Sequence, residues 1–297
     1  MRDQADKLRQ IVEDLQSGDS YQSTVIENVT PARVITITSG KGGVGKTNIS
    51  VNLAISLARS GLRVVILDAD FGLSNIDVLL GIVPRYTLAE IIRQDKNILD
   101  IISKGPENIS FISGGSGLEE MIHLKSEDLD RFLDELSEID KYYDIIIIDT
   151  GAGISENVIR FALAADEVLV ITTPEPTSIT DSYALIKTVL SKDAEKDIKV
   201  VINRTEDKNE AYDVFKRLSL VTKRFLGTDI HYLGCILQDV NVIKSVKTQK
   251  PFLIGYPNTN ASKYIQELSD KLLPQEEKTN ENKGFFRRLA GIFKNHF

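Results

Sequence analysis

The residues best suited to chemistry lie in one short string, SGKGGVGKT, at positions 39–47. It matches the pattern G-x-x-x-x-G-K-[ST], with Gly40, Gly45, Lys46 and Thr47 at the fixed positions. Glycines let backbone N–H groups turn toward phosphate oxygens, a lysine ammonium pairs with the β- and γ-phosphates, and a threonine hydroxyl can ligate Mg²⁺. We therefore predict a nucleoside triphosphate site formed by Gly40, Lys41, Gly42, Gly43, Val44, Gly45, Lys46, Thr47 and Asn48. The alternative is a glycine-rich turn that binds nothing.

Three aspartates follow apolar runs. Asp68 and Asp70 end the run VVILDAD, and Asp149 ends the run IIIID. A carboxylate at the end of a strand that faces a phosphate loop is a natural partner of Mg²⁺, and we predict a metal site of Thr47, Asp68 and Asp149. An acid nearer the γ-phosphate can orient an attacking water. The alternative is that these acids merely cap turns or helices.

A side chain that could recognise the base comes later in the chain, where the run KVVIN ends in Asn203. An asparagine amide donates and accepts hydrogen bonds, so it can read the edge of adenine. The sequence has no N-K-x-D guanine motif. Adenine is therefore favoured over guanine.

The elements that must position these residues are short apolar runs that alternate with amphipathic stretches. We predict strands at 34–38, 63–67, 109–112, 144–148, 167–172, 199–203 and 230–235, and helices at 46–60, 126–139, 155–165, 177–191 and 208–225. Runs rich in isoleucine and valine without strict alternation are typical of strands covered on both faces. The predicted fold is therefore α/β, a single doubly wound, mostly parallel sheet with helices on both faces. Ligands of such sheets bind at the carboxyl ends of the strands, where the aspartates lie.

Composition is that of an ordinary globular protein, with 297 residues of which 42% are hydrophobic and 27% charged. The single cysteine, Cys235, excludes an intramolecular disulfide and fits a reducing compartment. The net charge of −7 disfavours general nucleic-acid binding, so no nucleic-acid partner is expected. The charged N-terminus, MRDQADKLRQ, is unlike a secretory signal, which indicates a cytoplasmic protein.

The last 15 residues combine aromatic and basic side chains. On a helix, one face carries Phe285, Phe286, Leu289, Ile292 and Phe293, and the other carries Arg287, Arg288 and Lys294. That pattern is typical of a helix at the interface of an anionic membrane, and the charged stretch 274–282 is a suitable linker. We predict a membrane-targeting helix at 283–297, which would hold the protein on the inner face of the cell membrane. Packing on the protein's own core or on a partner's groove remains the alternative.

The whole string KGGVGKT resembles the deviant phosphate loop of the MinD/ParA family of dimerising ATPases. The resemblance implies an ATP-dependent homodimer in which Lys41 crosses to the partner's nucleotide, with Lys46 and Asp70 as the other catalytic residues. It also implies that Asp68 and Asp70 lie in switch I, DADFGLSNID, and that residues 149–153 form switch II. It places Asn203 against the base, Leu237 and Asp239 in the loop over adenine, and Glu175 on the partner's ribose, with Asp181 near the crossing Lys41.

The N-terminus carries a further resemblance. Asp3, Gln4, Ala5, Leu8 and Arg9 resemble the DQAxxLR motif of the FlhG family, MinD-like ATPases that control flagellar number and placement. This resemblance implies that residues 1–30 are an arm that stimulates the signal-recognition-particle-type GTPase FlhF through Gln4, Leu8 and Arg9. It also implies contacts with the C-ring proteins of the flagellar switch. From the residues alone, Leu8, Ile11, Val12 and Leu15 predict only a short amphipathic helix.

These patterns predict four segments: the arm at 1–30, an ATPase domain at 31–273, a linker at 274–282 and the tail helix at 283–297. The expected function is an ATP-hydrolysing, membrane-associating switch that regulates flagella. Alternatives are a MinD-like cell-division ATPase, a ParA-like DNA-partitioning ATPase, and an adaptor that binds nucleotide without catalysis. An iron–sulfur carrier on the same fold would need cluster-ligating cysteines, and the chain has one.

Overall fold

The structure is a computed structural model that describes residues 31–70, 75–93, 95–115, 126–273 and 284–294. The predicted N-terminal arm, with Gln4, Leu8 and Arg9, lies outside the described residues, and so do the linker 274–282 and residues 71–74 of switch I.

One eight-stranded sheet organises the described residues, in the order β3-β4-β2-β5-β1-β6-β7-β8. Every pair of neighbours is parallel except β3 and β4, which run antiparallel at one edge. This confirms the predicted fold class. The strands are β1 (Arg33–Ser39), β2 (Val64–Ala69), β3 (Ser103–Lys104), β4 (Ser110–Ile112), β5 (Ile145–Ala152), β6 (Glu167–Thr172), β7 (Asp197–Thr205) and β8 (His231–Leu237).

Helices connect the strands. They are α1 (Lys46–Arg59), α2 (Ile76–Leu80), α3 (Leu88–Ile92), α4 (Ile98–Ile101), α5 (Ser126–Ser137), α6 (Glu156–Ala164), α7 (Pro176–Lys192), α8 (Lys208–Leu226), α9 (Val240–Lys247), α10 (Phe252–Gly255), α11 (Asn260–Leu272) and α12 (Phe285–Lys294). Two short 3₁₀ turns, Pro106–Asn108 and Glu138–Lys141, complete the connections.

Both faces of the sheet are buried, as the unbroken apolar runs predict. On one face, Ile35 and Ile37 of β1 pack with α1, α10 and α11. On the other, Val34 packs in a cluster with α5, α6 and α12, and β7 packs against α7 and α8. The chain leaves β1 toward β2 on one side and leaves β5 toward β6 on the other. This reversal places the ends of β1 and β5 at the point where doubly wound sheets bind ligands.

Several strands run further than predicted, and the extensions of β5 and β7 bear on the site. β5 continues to Ala152, because Ala152 pairs with Ser39 and Thr150 pairs with Ala69. The first residues of the expected switch II therefore belong to the sheet. β7 continues to Thr205, and its register against β8 shifts between Asn203 and Thr205. Apolar runs do not reveal such extensions, because the added residues are polar or small.

Candidate functional site

The phosphate-binding loop joins β1 to α1 at the reversal point. Gly43 and Gly45 have φ angles of 75° and 101°, in the left-handed region that favours glycine. A Cβ at Gly40 would lie 2.1 Å from the backbone carbon of Asp181 at α7, so only glycine fits there. The loop is therefore shaped by backbone freedom at two positions and by close approach to α7 at a third.

Lys46 lies beneath this loop and is 9% exposed. Its Nζ donates to Ser39 Oγ at 3.1 Å, and Ser39 Oγ donates to the Lys41 carbonyl at 2.7 Å. Burial lowers the pKa of Lys46, while the charges of Asp149 and Asp70 act in the opposite direction. A desolvated ammonium that faces carboxylates is well placed to exchange them for phosphate oxygens.

Asp149 is fully buried at the end of β5. Ser50 Oγ donates to its Oδ1 at 2.8 Å, and the Thr47 hydroxyl also hydrogen-bonds this carboxylate. Its Oδ2 has no hydrogen-bond partner among the described residues. Burial raises the pKa of Asp149 to about 7. A buried carboxylate with one free oxygen beside a threonine hydroxyl is a suitable donor set for Mg²⁺.

The carboxylate of Asp68, unlike that of Asp149, accepts hydrogen bonds at both of its oxygens. Its Oδ1 accepts from Asp70 N at 3.2 Å, and its Oδ2 accepts from the backbone N–H groups of Asn75 and Ile76 at 2.9 and 3.2 Å. Burial raises the pKa of Asp68 to about 6, although these three hydrogen bonds act against that rise. The carboxylate therefore ties the end of β2 to the start of α2, which is the capping role that the sequence left open.

Asp70 lies in the segment expected to form switch I and approaches the segment expected to form switch II. Its Oδ2 accepts from Asn75 Nδ2 at 2.8 Å, and a Cβ at Gly151 would lie 2.9 Å from its Oδ1. The two expected switch segments thus meet at one carboxylate. A side chain at position 151 would collide with Asp70 Oδ1, so the glycine leaves the space that this carboxylate occupies.

Lys41 is held by residues of its own chain. Its Nζ bonds Glu175 Oε2 and Thr177 Oγ1, each at 2.8 Å, and the lysine and glutamate side chains are 38% and 57% exposed. The hydrogen bond from Lys41 lowers the pKa of Glu175. A surface ion pair of this kind contributes little free energy, so it can open readily. The backbone of Asp181 packs against Gly40, the residue before Lys41, and the expected place of Asp181 near a crossing lysine stays a prediction.

The residues expected around the base occupy the ends of β7 and β8. Asn203 is buried, and its amide bonds the chain itself, with Nδ2 donating to the Val44 carbonyl at 2.7 Å. Leu237 ends β8 and is partly buried. Asp239 caps α9, because its Oδ1 accepts from Asn241 N at 2.9 Å.

Four residues join the site that the sequence patterns did not single out. They are Ser39, Ser50, Asn75 and Thr177, which bond Lys46, Asp149, Asp70 and Lys41 respectively. Ser50 lies one helical turn after Thr47, so helical spacing was an available signal for it. Thr177 lies 136 residues from Lys41, so no local pattern could find it. Ser39 and Asn75 are close to their partners in sequence, but the loops that hold them have no fixed spacing that would predict these bonds.

Comparisons with known proteins agree with this geometry. A family model described as "ParA: NUBPL iron-transfer P-loop NTPase" matches residues 30–273. The antiactivator FleN of Pseudomonas aeruginosa is 40% identical over 242 residues, which are 82% of this chain and 86% of FleN. The chain belongs to the ParA family of P-loop NTPases. It is accordingly an ATPase of the MinD/ParA type.

Two further similarities extend over most of this chain. The flagellum site-determining protein YlxH of Helicobacter pylori is 33% identical over 297 residues, 97% of this chain and 98% of YlxH. A chain of the MinC:MinD cell division complex of Aquifex aeolicus superposes with a TM-score of 0.65 at 25% identity, covering 84% of this chain and 99% of that one. The resemblances to the MinD/ParA family and to the FlhG/FleN group are thus confirmed.

The packing of α12 also bears on the function of this ParA-family chain. Phe285, Phe286, Leu289 and Phe293 are each at most 2% exposed, and they lie in one cluster with residues of α5 and α6. The Phe285 and Phe286 rings pack edge to face at 4.9 Å. In the described structure the predicted membrane-facing side of the tail thus contacts the protein's own core. Lipid would have to replace that contact.

Two arginines fix α12 in place. Arg288 Nε donates to the Ala164 carbonyl at 2.7 Å, and its guanidinium pairs with Asp166 Oδ1 at 2.5 Å. Arg160 of α6 lies over the Phe293 ring, 4.3 Å from the centroid. Arg287, predicted with Arg288 to face lipid, is exposed. Ile292 is partly buried, and the Lys294 side chain lies outside the described residues.

Two other observations concern possible sites. Among the helices that the structure describes, none has the length and apolarity needed to cross a bilayer. A cavity of about 570 Å³ is lined by residues such as Arg63, Ser110 and Tyr143. These residues come from the amino ends of the strands, so the cavity lies at the edge of the sheet opposite the phosphate loop.

Proposed function

We propose that this chain is an ATP-driven switch that dimerises when it binds ATP, binds the membrane through α12 and regulates flagellar number or placement. The observation that carries the proposal is the contact between α12 and α6. α6 begins at Glu156, directly after the switch II residues of β5, and ends beneath the tail helix. A change at the γ-phosphate therefore has a short structural route to the tail.

The residues around the phosphate loop fit an ATP–Mg²⁺ complex. The free Oδ2 of Asp149 and the Thr47 hydroxyl are oxygen donors of the kind that Mg²⁺ takes, and Lys46 supplies the positive charge for the β- and γ-phosphates. The metal would neutralise charge that develops on the phosphates. Asp68 would act indirectly, since its oxygens already hold the start of α2.

Asp70 is the residue we assign to the attacking water. It meets both switches, and Asn75 fixes its orientation through a 2.8 Å hydrogen bond. An oriented carboxylate can accept a hydrogen bond from water and align it with the γ-phosphate. In the ATP state both switch segments would contact the γ-phosphate, and its loss on hydrolysis would release them. The two nucleotide states would therefore differ in the order of these segments, as a nucleotide switch requires.

Dimerisation would use Lys41. Its present partners, Glu175 and Thr177, are exposed and bind it weakly, so the lysine is free to cross to a second copy. Glu175 would then be available for the partner's ribose. The resemblance to the MinD/ParA family supports this assignment.

In the proposed membrane role, the apolar face of α12 leaves the surface of α5 and α6 and inserts into the membrane interface. α12 buries four large apolar side chains on α5 and α6, and a membrane interface would bury the same four. One short helix binds lipid marginally, whereas a dimer presents two. ATP-dependent dimerisation is thus expected to convert docked tails into a paired membrane anchor on the inner face of the cell membrane.

The flagellar role comes from relatives. FleN is named as an antiactivator, and YlxH is named as a flagellum site-determining protein. We infer that this chain also acts on flagellar number or site. Its N-terminal arm, through Gln4, Leu8 and Arg9, would stimulate an FlhF-type GTPase, and its surface would bind C-ring proteins. A DNA-partitioning role is disfavoured by the acidic balance of the chain.

The catalytic assignment is tested by single-turnover ATP hydrolysis with Asp70→Ala. We expect the rate to fall at least about 100-fold, as when one preorganised polar contact to a transition state is lost. Asp213→Ala, which changes an exposed acid of α8, is the control and should keep the rate. Equal rates for the unmodified protein and Asp70→Ala would remove Asp70 from the mechanism.

A further inference from the structure

Asn203 makes two hydrogen bonds within the chain. Its Nδ2 donates to the Val44 carbonyl of the phosphate loop at 2.7 Å, and its Oδ1 accepts from Arg204 N at 2.9 Å. The residue is 9% exposed. Both ends of the amide are therefore engaged by protein. A residue that served only to read a base would keep them available.

The backbone beside Asn203 is irregular. The β7–β8 register shifts between Asn203 and Thr205, and Arg204 has a φ angle of 60°. A left-handed backbone is costly for a residue with a Cβ, and such bulges are common beside functional sites. At this irregularity the Arg204 N–H bonds Asn203 Oδ1, and Asn203 Nδ2 is directed at the loop.

The loop leaves space for the amide. At Gly45, where φ is 101°, a Cβ would lie 2.5 Å from Asn203 Nδ2. Any other residue at this position would displace the amide from the Val44 carbonyl. The glycine thus serves the loop in two ways, through its backbone conformation and through the contact it permits with β7.

We propose that Asn203 is a positioning residue for the phosphate loop: its amide fixes the Val44 carbonyl, two residues before Lys46, and thereby sets affinity for the triphosphate itself. This rests on the proposed ATP site and goes beyond it, because the resemblance implies only a contact with adenine. The second amide hydrogen and the second oxygen lone pair remain for the base. Removal of Asn203 should therefore weaken binding of ligands that have no base.

The test compares ATP with ribose 5′-triphosphate, which lacks adenine, in titration calorimetry with Mg²⁺. We expect Asn203→Ala and Asn203→Asp to weaken both ligands by about the same factor, roughly tenfold for one lost hydrogen bond. Asp keeps an acceptor for Arg204 N–H but has no donor for the Val44 carbonyl. Asn241→Ala, whose amide bonds Asp239 on α9, is the matched control and should leave binding of ribose 5′-triphosphate unchanged.

Four results would contradict the proposal or the function on which it rests. Loss of ATP affinity with unchanged ribose 5′-triphosphate affinity would make Asn203 a base reader and overturn the proposal, as would two unchanged affinities. A merely structural role would lower the thermal unfolding midpoint without a matched loss of affinity in the folded protein, and would also overturn it. If the unmodified protein bound neither ligand, the proposed ATP function would fail instead.

Discussion

The nucleotide edge, which is the edge of the sheet that carries the phosphate loop, differs in chemical character from the docking site of α12 on α5 and α6. At the nucleotide edge, buried charged groups such as Lys46 and Asp149 face one another, and glycines let the backbone approach closely. At the docking site, four large apolar side chains fill a surface of α5 and α6, with Arg288 at its border. The first region is specific for one kind of ligand, whereas the second offers an apolar surface that lipid can equally replace.

The energies explain why only the second region suits a reversible change of location. Burial of four large apolar side chains stabilises docking by about 6–12 kcal/mol, as an upper bound. In the proposed function, insertion into a membrane interface would bury the same side chains and would gain a similar free energy. The choice between the two therefore depends on the smaller polar contacts, above all those of Arg288.

The largest effect should come from the sterics of the nucleotide edge. Gly40→Ala places a Cβ 2.1 Å from the backbone of Asp181, and backbone atoms of α7 cannot move aside cheaply. We expect a loss of at least about 2 kcal/mol in the free energy of unfolding. Gly42→Ala is the matched control, because its nearest neighbour would lie 3.9 Å away. Denaturant unfolding without nucleotide measures both, and similar losses would refute this account of the loop.

This edge was also the part most accessible from sequence. The loop pattern, the strand-end aspartates and the run of strands predicted where Lys46, Thr47 and Asp149 would meet, since chemistry and spacing are local there. For Asp68, the sequence left the choice between metal binding and capping open, and the contact of Asn203 with Val44 was not predictable. The first depends on how the loop after β2 folds back, and the second joins segments that are 159 residues apart, so no periodicity reveals either.

An intermediate effect should distinguish two neighbouring arginines of α12. Arg288→Ala removes the bonds to Asp166 and to the Ala164 carbonyl, which should weaken docking by about 1–2 kcal/mol. Amide hydrogen exchange of residues 285–294 in the ADP state should then accelerate roughly 5- to 30-fold. Arg287→Ala, at an exposed position, should leave exchange unchanged. Equal acceleration in the two variants would show that the Arg288 contacts do not hold the tail.

The tail shows what sequence could not decide. Its helix and its two faces were predicted from the pattern, and the structure has α12 at Phe285–Lys294. Whether the apolar face meets lipid or the core depends on the surface of α5 and α6, which is assembled from distant residues. Arg288 and Arg287 look alike in sequence, yet only Arg288 reaches Asp166.

The smallest effect concerns pH. Burial raises the pKa of Asp140 to about 6, with Asp166 raising it further and Arg288 opposing. Between pH of about 4 and 6 the folded chain holds a proton that Asp140 of the unfolded chain would release, so the free energy of unfolding should rise as pH falls through this window. Asp140→Asn should weaken that dependence, as followed by denaturant unfolding at several pH values. An unchanged pH dependence in this variant would assign it to another group.

The central claim is that ATP moves α12 from the core to the membrane. Its most direct test is co-sedimentation with vesicles of anionic lipid, using the full chain with ATP, the full chain with ADP, and a chain without residues 284–297. We expect binding with ATP, little binding with ADP, and none in either state without the tail. Equal binding with ATP and ADP, or binding that survives removal of the tail, would contradict the claim.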